Sequence, residues 1–369
     1  MDSRKKKILI SPLNWGLGHA VRDIPLIYIL LKNNYDVLIA GEGKTGILLK
    51  KEFPNLQYVD LPSFSIKYPK NSFFFLKLLF QIPAVVNGIR NEHKQVQQII
   101  KEYDIDVIIS DNRYGMYSED ILSIFITHQI SLKLPNYLKF FEKLILNIHK
   151  SRIRKFDKCL IPDYADNTLN LSGTLSHGFY LPEMYSFIGI LSQFQFSEQK
   201  IKKYKYDIAI IISGPEPQRS IFEKIIIVQV LKTKKRAVLI SGLPDLSFSK
   251  QDDNLMIYSH VSRNKMKDIL LNSEIIISRA GYTTIMDLVS LQKKAILIPT
   301  PGQTEQEYLA KHLRNKDLFI FKKQHNFNLI ESVNELKNLK SDFKIFTNKG
   351  CHDFISSVKS ITVKHNKTN

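Results

Sequence analysis

The feature that most constrains the fold is a series of short apolar runs separated by helix-like segments. The runs are rich in Ile, Val and Leu, and the same alternation begins again after a polar linker at residues 193–205. Strands that are apolar on both faces, with helices between them, are typical of parallel sheets covered on both sides. The pattern therefore predicts two doubly wound α/β units in tandem, with a ligand cleft between them beyond the carboxyl ends of the strands.

The first unit contains six predicted strands, at residues 7–11, 36–40, 56–61, 105–110, 122–127 and 158–161. The second contains six more, at residues 206–213, 236–241, 255–259, 274–278, 294–299 and 318–321. We expect an N-terminal domain at 1–200, a C-terminal domain at 201–345, and a final helix and polar tail at 346–369. The final segment could cross back to the first domain.

Composition indicates the charge of the binding partners and the cellular compartment of the protein. Lys and Arg number 53 against 35 Asp and Glu, and the formal net charge of +18 favours anionic partners. Cys159 and Cys351 are the only cysteines, so the sequence has neither a disulfide framework nor a metal-binding cysteine pattern. No uninterrupted apolar stretch approaches the roughly 18 residues of a membrane span. We therefore expect a cytoplasmic protein, either free or peripheral on the inner face of the membrane.

The first candidate site is the loop 11–19, between the first predicted strand and a predicted helix. It contains Gly16, Gly18 and His19. The glycines allow a tight turn, and the free N–H groups of the helix start can bind an anionic or polar ligand. A tight loop with a capping histidine explains the same residues equally well. The third glycine of a dinucleotide fingerprint is absent, which disfavours NAD.

The second candidate site follows a strand and is more specific. A turn of small residues from Ser278 through Arg279 to Gly281 opens a helix, and Asp287 lies about two turns further on. The helix start can bind phosphate, and a carboxylate at that distance can accept hydrogen bonds from ribose hydroxyls. The alternative is an ordinary capped helix with a solvated Asp287.

The third candidate site follows the next strand, at residues 299–310. Its loop and helix start carry Glu305, Gln306 and Glu307. Amides and carboxylates match sugar hydroxyls because they hydrogen bond in both directions. A polar helix N-terminus is the simpler alternative, but the position one strand beyond the second candidate favours a ligand.

These residues resemble those of the family 28 glycosyltransferases. The stretches 278–287 and 299–310 are similar to the donor-binding region of that family, and residues 16–19, Gly-Leu-Gly-His, are similar to its glycine-rich loop on the acceptor side. The resemblance is strong over the C-terminal half and weak through most of 40–200. It implies the GT-B architecture, in which two Rossmann-like doubly wound domains face a central cleft.

The resemblance also implies an activity and a set of donor-binding residues. A hexose or N-acetylhexosamine would pass from a nucleotide-sugar, with UDP as the expected carrier, to a hydroxyl of a cell-envelope glycan or lipid-linked acceptor. No cofactor or metal is implied, and the displacement would invert the anomeric centre. The implied residues near the diphosphate, the ribose, the base and the sugar are Gly16, Gly18, Ser213, Gly214, Arg219, Val261, Ser278, Arg279, Gly281, Thr283, Asp287, Glu305, Gln306 and Glu307.

Within that set, Gly281 and Thr283 are expected by the diphosphate, Asp287 at the ribose, and the backbone of Val261 at the base. Three positions depart from the family pattern. Asp287 replaces a common Glu, Glu307 replaces the second of two glutamines, and the loop at 213–218 is not rich in glycine and serine. The change at Glu307 bears on which sugar is bound, since a carboxylate only accepts hydrogen bonds.

His19 is the candidate general base or acceptor-orienting group, and Asp111 is the second candidate. Asp111 follows a predicted strand and should emerge at the edge of the sheet where His19 lies. Capping of a turn by Asp111 is an equally good explanation. A non-catalytic nucleotide-sugar-binding subunit and a nucleotide-sugar epimerase remain as alternative functions.

Two further features concern partners. Residues 131–158 combine eight Lys and Arg with interleaved Leu, Phe and Ile, a composition that suits contact with an anionic membrane. Helices with an apolar side in the core and solvated lysines explain it as well. Asp104 and Asp106 precede their strand, so we expect no metal there, and no motif for reading nucleic acid is present.

Overall fold

The computed structural model describes residues 4–62, 74–194, 204–346 and 350–368. Within these ranges the chain forms two seven-stranded sheets. Residues 195–203 of the predicted linker lie outside the described residues, so the predicted boundary at 200 stays a prediction. The predicted α/β architecture with two Rossmann-like units is confirmed.

The first sheet has the strand order β3-β2-β1-β4-β5-β6-β7, and all of its pairings are parallel. Its strands are β1 (Lys7–Pro12), β2 (Asp36–Gly41), β3 (Gln57–Asp60), β4 (Val107–Asp111), β5 (Leu122–Ile126), β6 (Lys158–Ile161) and β7 (Tyr185–Phe187). The helices between them are α1 (Leu17–Lys32), α2 (Gly43–Glu52), α3 (Phe74–Tyr103) and α4 (Glu142–Ile153), with 3₁₀ turns at Asn136–Phe141 and Gly173–Leu175.

The second sheet has the order β10-β11-β9-β8-β12-β13-β14, and β10 alone of its strands is antiparallel to its neighbour. Its strands are β8 (Tyr206–Ile211), β9 (Ala237–Ile240), β10 (Ser249–Asp252), β11 (Leu255–Tyr258), β12 (Ser273–Ser278), β13 (Ala295–Leu297) and β14 (Ile320–Phe321). The helices are α5 (Gln218–Leu231), α6 (Arg263–Leu271), α7 (Tyr282–Ser290), α8 (Thr304–Arg314), α9 (Leu329–Asn338) and α10 (Gly350–Thr368), with a 3₁₀ turn at Gln324–Asn326.

Two strands were not predicted, and both lack the apolar pattern on which the prediction depends. Strand β7 has only three residues, Tyr-Ser-Phe, within a stretch rich in glycine, proline and serine. Strand β10 reads Ser-Lys-Gln-Asp and lies at an edge, where it is held by antiparallel pairing with β11. Backbone pairing therefore forms β10 without apolar burial, whereas β7 buries Tyr185 but is too short to show a pattern.

The strand orders place the ligand sites. In each sheet the order reverses between two adjacent strands, β1 and β4 in the first and β8 and β12 in the second. The loops that leave the carboxyl ends of such strands diverge to opposite faces and leave a crevice. Many of the predicted site residues lie at the ends of β1, β4, β8 and β12 or just after them, whereas Val261 follows β11 and residues 305–307 follow β13.

The two halves share an apolar interface. Helix α1 of the first half packs against α7 of the second and against α10. Phe354 and Val358 of α10 are fully buried in the same core cluster as α1, and Lys359 Nζ donates to Asn33 Oδ1 at 2.7 Å. The last helix therefore lies on the first half. None of the helices within the described ranges is long and apolar enough to span a bilayer.

Candidate active site

Two glycines shape the loop that presents His19. Gly16 precedes α1 with φ of 106°, a conformation that residues with a side chain rarely adopt. Gly18 is required for a different reason. Thr283 Oγ1, from the second half, donates to the carbonyl oxygen of Gly18 at 2.9 Å, and a Cβ on Gly18 would lie 3.3 Å from that hydroxyl. The glycine loop and the start of α7 are therefore in direct contact.

His19 and Asp111, predicted separately as candidate bases, form a pair. His19 Nδ1 lies 2.9 Å from Asp111 Oδ1. The pairing follows from the fold, because Asp111 is the last residue of β4 and is in register with Pro12 of the adjacent β1. Asp111 is fully buried, whereas 16% of the His19 side chain is exposed. No described residue hydrogen bonds His19 Nε2, which leaves that nitrogen available to a ligand.

Arg22 fixes the charge of this pair. It lies one turn after His19 on α1, and its Nε donates to Asp111 Oδ2 at 2.9 Å, while its Nη2 donates to Asp111 Oδ1. Burial would raise the pKa of Asp111, but the Arg22 guanidinium and His19 outweigh burial and hold that pKa well below its usual range. Asp111 is therefore an ionised hydrogen-bond acceptor.

Asp23 lies beside the pair and behaves differently. It is fully buried, and its two carboxyl oxygens have no hydrogen-bond partner in the part of the chain that the structure describes. Burial, followed by the negative charge of Asp111, raises the pKa of Asp23 well above its ordinary value. Both effects favour the neutral form of the Asp23 carboxyl.

A second histidine joins the two halves. His128 follows β5, and its Nε2 lies 2.7 Å from Glu305 Oε1 on α8. Its Nδ1 lies 2.9 Å from Arg22 Nη1, and its ring stacks on Tyr282 of α7 with centroids 4.1 Å apart. Burial lowers the pKa of His128 even though Glu305 favours its charged form. Glu305 thus faces the first half.

Three residues of the site were not predicted from the sequence: Arg22, His128 and Tyr282. Arg22 could have been found, because a residue three positions after His19 on a helix shares its face. His128 follows a strand at the same sheet edge as Asp111, so the argument used for Asp111 applies to it. Tyr282 stands inside the second candidate site, but its contact depends on the packing of the two halves.

The donor-side residues surround three helix N-termini. Helices α5, α7 and α8 begin just after β8, β12 and β13, so their free N–H groups lie along one edge of the second sheet. Ser213 and Gly214 form the loop after β8, and Gly214 has φ of 109°. Ser278 ends β12 and is fully buried, and half-buried Gly281 is the N-cap of α7.

The two arginines of this edge differ in their partners. Arg219 pairs with Glu216 at 2.5 Å and with Glu223 at 2.8 Å, so two carboxylates offset its charge. Arg279 is buried, donates to the backbone carbonyls of Ile298, Pro299 and Gln218, and has no carboxylate partner among the described residues. Burial alone lowers the pKa of Arg279 to about 10, so it is a cation at neutral pH.

Asp287 lies where the sequence placed it on α7, but its carboxylate contacts the chain that links the two halves. Ser192 Oγ donates to Asp287 Oδ1 at 2.6 Å, and the backbone N–H and side-chain amide of Gln193 donate at 3.2 and 3.0 Å. Burial raises the pKa of Asp287 to about 6, although these donors oppose the shift. Neither Ser192 nor Gln193 was singled out from the sequence.

The three residues of the third candidate site point to different places. Glu305 contacts His128, as described. Gln306 Oε1 accepts from the Thr300 N–H at 2.9 Å and so holds the loop before α8. Glu307 is exposed and accepts from the Gly302 N–H at 3.3 Å. Only Glu305 of the three contacts the first half.

Val261 is buried after β11 and follows His260. Beside it is a shallow cavity of about 420 Å³, lined by Lys51, Leu246, Ser247, Phe248, Ser249, Tyr258, Ser259, His260 and Lys265. Lys51 comes from the first half of the chain and Lys265 from α6. Aromatic faces beside two cations suit an anionic ligand that contains a planar ring.

Comparisons with known proteins agree with this architecture. Residues 211–361 match the Glycosyltransferase family 28 C-terminal domain. A relative from Methanosarcina mazei, named an uncharacterized glycosyltransferase, is 25% identical over 316 residues, covering 82% of this chain and 81% of the relative. The solved structure of spinosyn forosaminyltransferase SpnP superposes with a TM-score of 0.62 at 11% identity, covering 98% of this chain and 100% of that one.

A second relative has a more specific name. The UDP-N-acetylglucosamine--N-acetylmuramyl-(pentapeptide) pyrophosphoryl-undecaprenol N-acetylglucosamine transferase of Buchnera aphidicola is 25% identical over 319 residues, covering 84% of this chain and 82% of the relative. The fold, the facing loops and these similarities define the chain as a GT-B glycosyltransferase that uses a nucleotide-sugar donor. The predicted resemblance to family 28 is confirmed, because residues 211–361 match the C-terminal domain of that family.

Proposed function

We propose that the protein transfers a hexose or N-acetylhexosamine from a UDP-sugar to a hydroxyl group of a lipid-linked or envelope-glycan acceptor, with His19 as general base. The observation that carries this proposal is the His19–Asp111 pair, whose free Nε2 lies at the junction of the two halves. A histidine held by a buried carboxylate through Nδ1–H presents an unprotonated Nε2. That nitrogen can accept the proton of an acceptor hydroxyl.

The reaction needs one bond to form and one to break. As His19 Nε2 takes the proton, the acceptor oxygen bonds to the anomeric carbon, and the bond from that carbon to the diphosphate oxygen breaks. The electron pair leaves with the diphosphate. Helix N-termini after β8 and β12, with the unpaired cation of Arg279, supply the positive potential that stabilises the leaving group. Attack opposite the leaving group inverts the anomeric centre, and no metal ion is needed.

The choice of donor and acceptor is supported by similarity and by the form of the site. The name of the Buchnera relative gives UDP-N-acetylglucosamine as donor and a pyrophosphoryl-undecaprenol carrier as acceptor. The cavity beside Val261 suits the base end of a nucleotide, and Asp287 lies about two turns along the helix that starts at Gly281. A diphosphate at the start of α7 would place its ribose within reach of that carboxylate.

A surface on the first half supports contact with the membrane. Large apolar side chains recur at helical spacing along the 3₁₀ turn and α4, and their exposed fractions are 62% for Tyr137, 72% for Phe140, 55% for Leu144 and 50% for Ile148. We call this set the α4 stripe. Exposed Lys139 flanks it, with further cations at Lys143, Arg154 and Lys155. An exposed apolar stripe rimmed by cations suits an anionic lipid surface, where a lipid-linked acceptor would be found.

Thermal unfolding in the presence of UDP-, GDP- and TDP-sugars tests the choice of donor, because a ligand that binds only the folded protein raises the midpoint temperature of unfolding. We expect UDP-N-acetylglucosamine to raise this midpoint for the wild type and for His19→Gln. We expect UDP to be released from it only by the wild type. Binding without release in the wild type would favour a non-catalytic binding subunit. Sugar inversion within the donor would favour an epimerase. No shift with any donor would contradict the proposed function.

A further inference from the structure

A continuous chain of polar contacts joins the donor half to the candidate base. It runs from Glu305 Oε1 to His128 Nε2 at 2.7 Å, and from His128 Nδ1 to Arg22 Nη1 at 2.9 Å. Arg22 Nε continues to Asp111 Oδ2 at 2.9 Å, and Asp111 Oδ1 reaches His19 Nδ1 at 2.9 Å. The three inner members are buried, with Arg22 at 1%, Asp111 at 0% and His128 at 6% exposure.

The direction of each hydrogen bond in this chain follows from the donors and acceptors. A guanidinium only donates, so His128 Nδ1 must accept from Arg22. The proton of neutral His128 is then on Nε2, where it is donated to the Glu305 carboxylate. His128 therefore cannot act as a base, because neither of its nitrogens has a free lone pair. His19, whose Nε2 has no partner among the described residues, is the histidine that can.

Arg22 also has an alternative partner within reach. Its Nη2 lies 3.1 Å from His19 Nδ1, the nitrogen that otherwise donates to Asp111. If Arg22 donated there, His19 Nδ1 would accept and the ring proton would move to Nε2. That tautomer has no lone pair on Nε2 and cannot take a proton from an acceptor. Three hydrogen bonds, from Nη1 to His128 Nδ1 and from Nε and Nη2 to the Asp111 carboxylate, fix the guanidinium so that Nη2 donates to Asp111 and not to His19 Nδ1.

Contacts from the second half hold His128 in place. Tyr282 stacks on its ring with the planes 2° apart, and the Tyr282 hydroxyl donates to the carbonyl oxygen of Pro162 at 2.8 Å. The charged or titratable groups that surround the His19–Asp111 pair are Arg22 and Asp23 on α1, His128 after β5, Tyr282 on α7 and Glu305 on α8. His128 is thus the member of the first half that contacts both Tyr282 and Glu305.

We propose that Arg22 and His128 are positioning residues that hold His19 in the tautomer that can act as a base, because the hydrogen bond to His128 Nδ1 keeps the Arg22 guanidinium on Asp111. The use of this tautomer for sugar transfer rests on the proposed function. The tautomer itself does not, so the two can be tested separately.

Two substitutions of His128 separate its contact with Arg22 from its contact with Glu305. In His128→Asn the amide oxygen can take the place of Nδ1 and accept from Arg22, whereas in His128→Gln the amide nitrogen can take the place of Nε2 and donate to Glu305. Long-range ¹H–¹⁵N spectra of histidine-labelled protein, assigned with His19→Gln, report the tautomer of His19. We expect Nδ1–H in the wild type and in His128→Asn, and a shift towards Nε2–H in His128→Gln.

Kinetics provide the second measurement. With UDP-N-acetylglucosamine and water as acceptor, we expect His128→Gln to lower kcat by about 100-fold and His128→Asn by less than about tenfold, with donor KM little changed in either. If His19 has the same tautomer in the wild type and in His128→Gln, the positioning role of Arg22 and His128 is overturned, whatever the rates. If His128→Gln changes the tautomer but the wild type consumes no donor, the positioning role is upheld and the proposed function is contradicted.

Discussion

Ser192 Oγ donates a 2.6 Å hydrogen bond to Asp287 Oδ1, so the carboxylate implied as the ribose ligand is held by the segment that joins the two halves. Gln193 contributes two more donors to the same carboxylate. A carboxylate has about four acceptor sites, so little capacity remains for two ribose hydroxyls. Donor binding at Asp287 therefore requires that the linking segment give up at least part of this contact.

Replacement of Asp287 by Asn separates its effects on stability and binding. The pKa of the folded carboxyl is about 6, above the roughly 3.9 of an unfolded Asp, so its contribution to the free energy of unfolding is greatest at low pH and falls by about 2 kcal/mol as pH rises from 4 to 7. We expect Asp287→Asn to remove this fall and to weaken donor binding. Denaturant unfolding of the wild type and Asp287→Asn at pH 4.5 and 7.5 gives the two free energies of unfolding. If these change with pH in the same way in both proteins, the raised pKa of buried Asp287 does not contribute to stability.

The competition between linker and ribose gives a second prediction. Ser192→Ala removes the shortest donor to Asp287 and leaves the backbone donor of Gln193 in place. If the linker competes with the ribose, the variant should bind UDP-N-acetylglucosamine more tightly than the wild type while unfolding at a lower temperature. Calorimetric titration of both proteins measures this. Equal or weaker affinity would show that the linker contact supports the site.

The His19–Asp111 pair predicts a kinetic effect without loss of donor binding. We expect His19→Gln to reduce transfer by about 10²- to 10⁴-fold. Asp111→Asn should reduce it as well, because an amide no longer fixes the Nδ1–H tautomer and leaves Arg22 without its anion. Loss of one partner of a buried pair costs about 3–5 kcal/mol, so folding of Asp111→Asn must be verified by its unfolding midpoint. Donor dissociation constants should stay near the wild-type value for His19→Gln, and a large rise would assign His19 to donor binding.

The difference between the two arginines of the donor edge is testable by paired substitutions. Arg279 is a cation without a carboxylate partner, and its guanidinium ties together the loops after β8 and β13. We expect Arg279→Gln to weaken UDP binding by about 10- to 100-fold, the range for a hydrogen bond to a charged group. Arg219→Gln is the matched control, because Glu216 and Glu223 already neutralise that charge. Equal losses in both variants would show that net charge, and not Arg279 itself, sets UDP affinity.

Much of the fold could be predicted from the sequence because sheet strands buried on both faces must be apolar. Each of the twelve predicted runs coincides with a strand of the structure, and no strand end differs from its prediction by more than two residues. Strand β7 was missed because three residues are too short a run to show a pattern, and β10 because its polar residues are held by backbone pairing alone. Of the predicted runs 294–299 and 318–321, only residues 295–297 and 320–321 pair with a neighbouring strand.

The candidate site was predictable to the extent that it follows from strand ends. His19 and Asp111 leave adjacent strands of one sheet, and the order of those strands brings them together. The contacts of Asp287 with Ser192 and of Glu305 with His128 join positions 95 and 177 residues apart. Such contacts depend on how the two halves pack against each other, and the hydrophobic periodicity of the chain does not predict that packing.

The α4 stripe predicts binding to anionic vesicles. Phe140→Ser combined with Leu144→Ser removes two of its exposed apolar side chains, and Ile330→Ser on α9, with a side chain that is 67% exposed, is the control in the other half. Insertion of each large apolar side chain into the lipid contributes up to about 1.5–3 kcal/mol to binding. We therefore expect the double variant to bind phosphatidylglycerol vesicles at least about tenfold more weakly than the wild type, and Ile330→Ser to bind as the wild type does. Cosedimentation with vesicles measures the affinity of each protein. Because the flanking lysines act by charge, added salt should weaken wild-type binding, and equal binding by all three proteins would show that the stripe does not contact lipid.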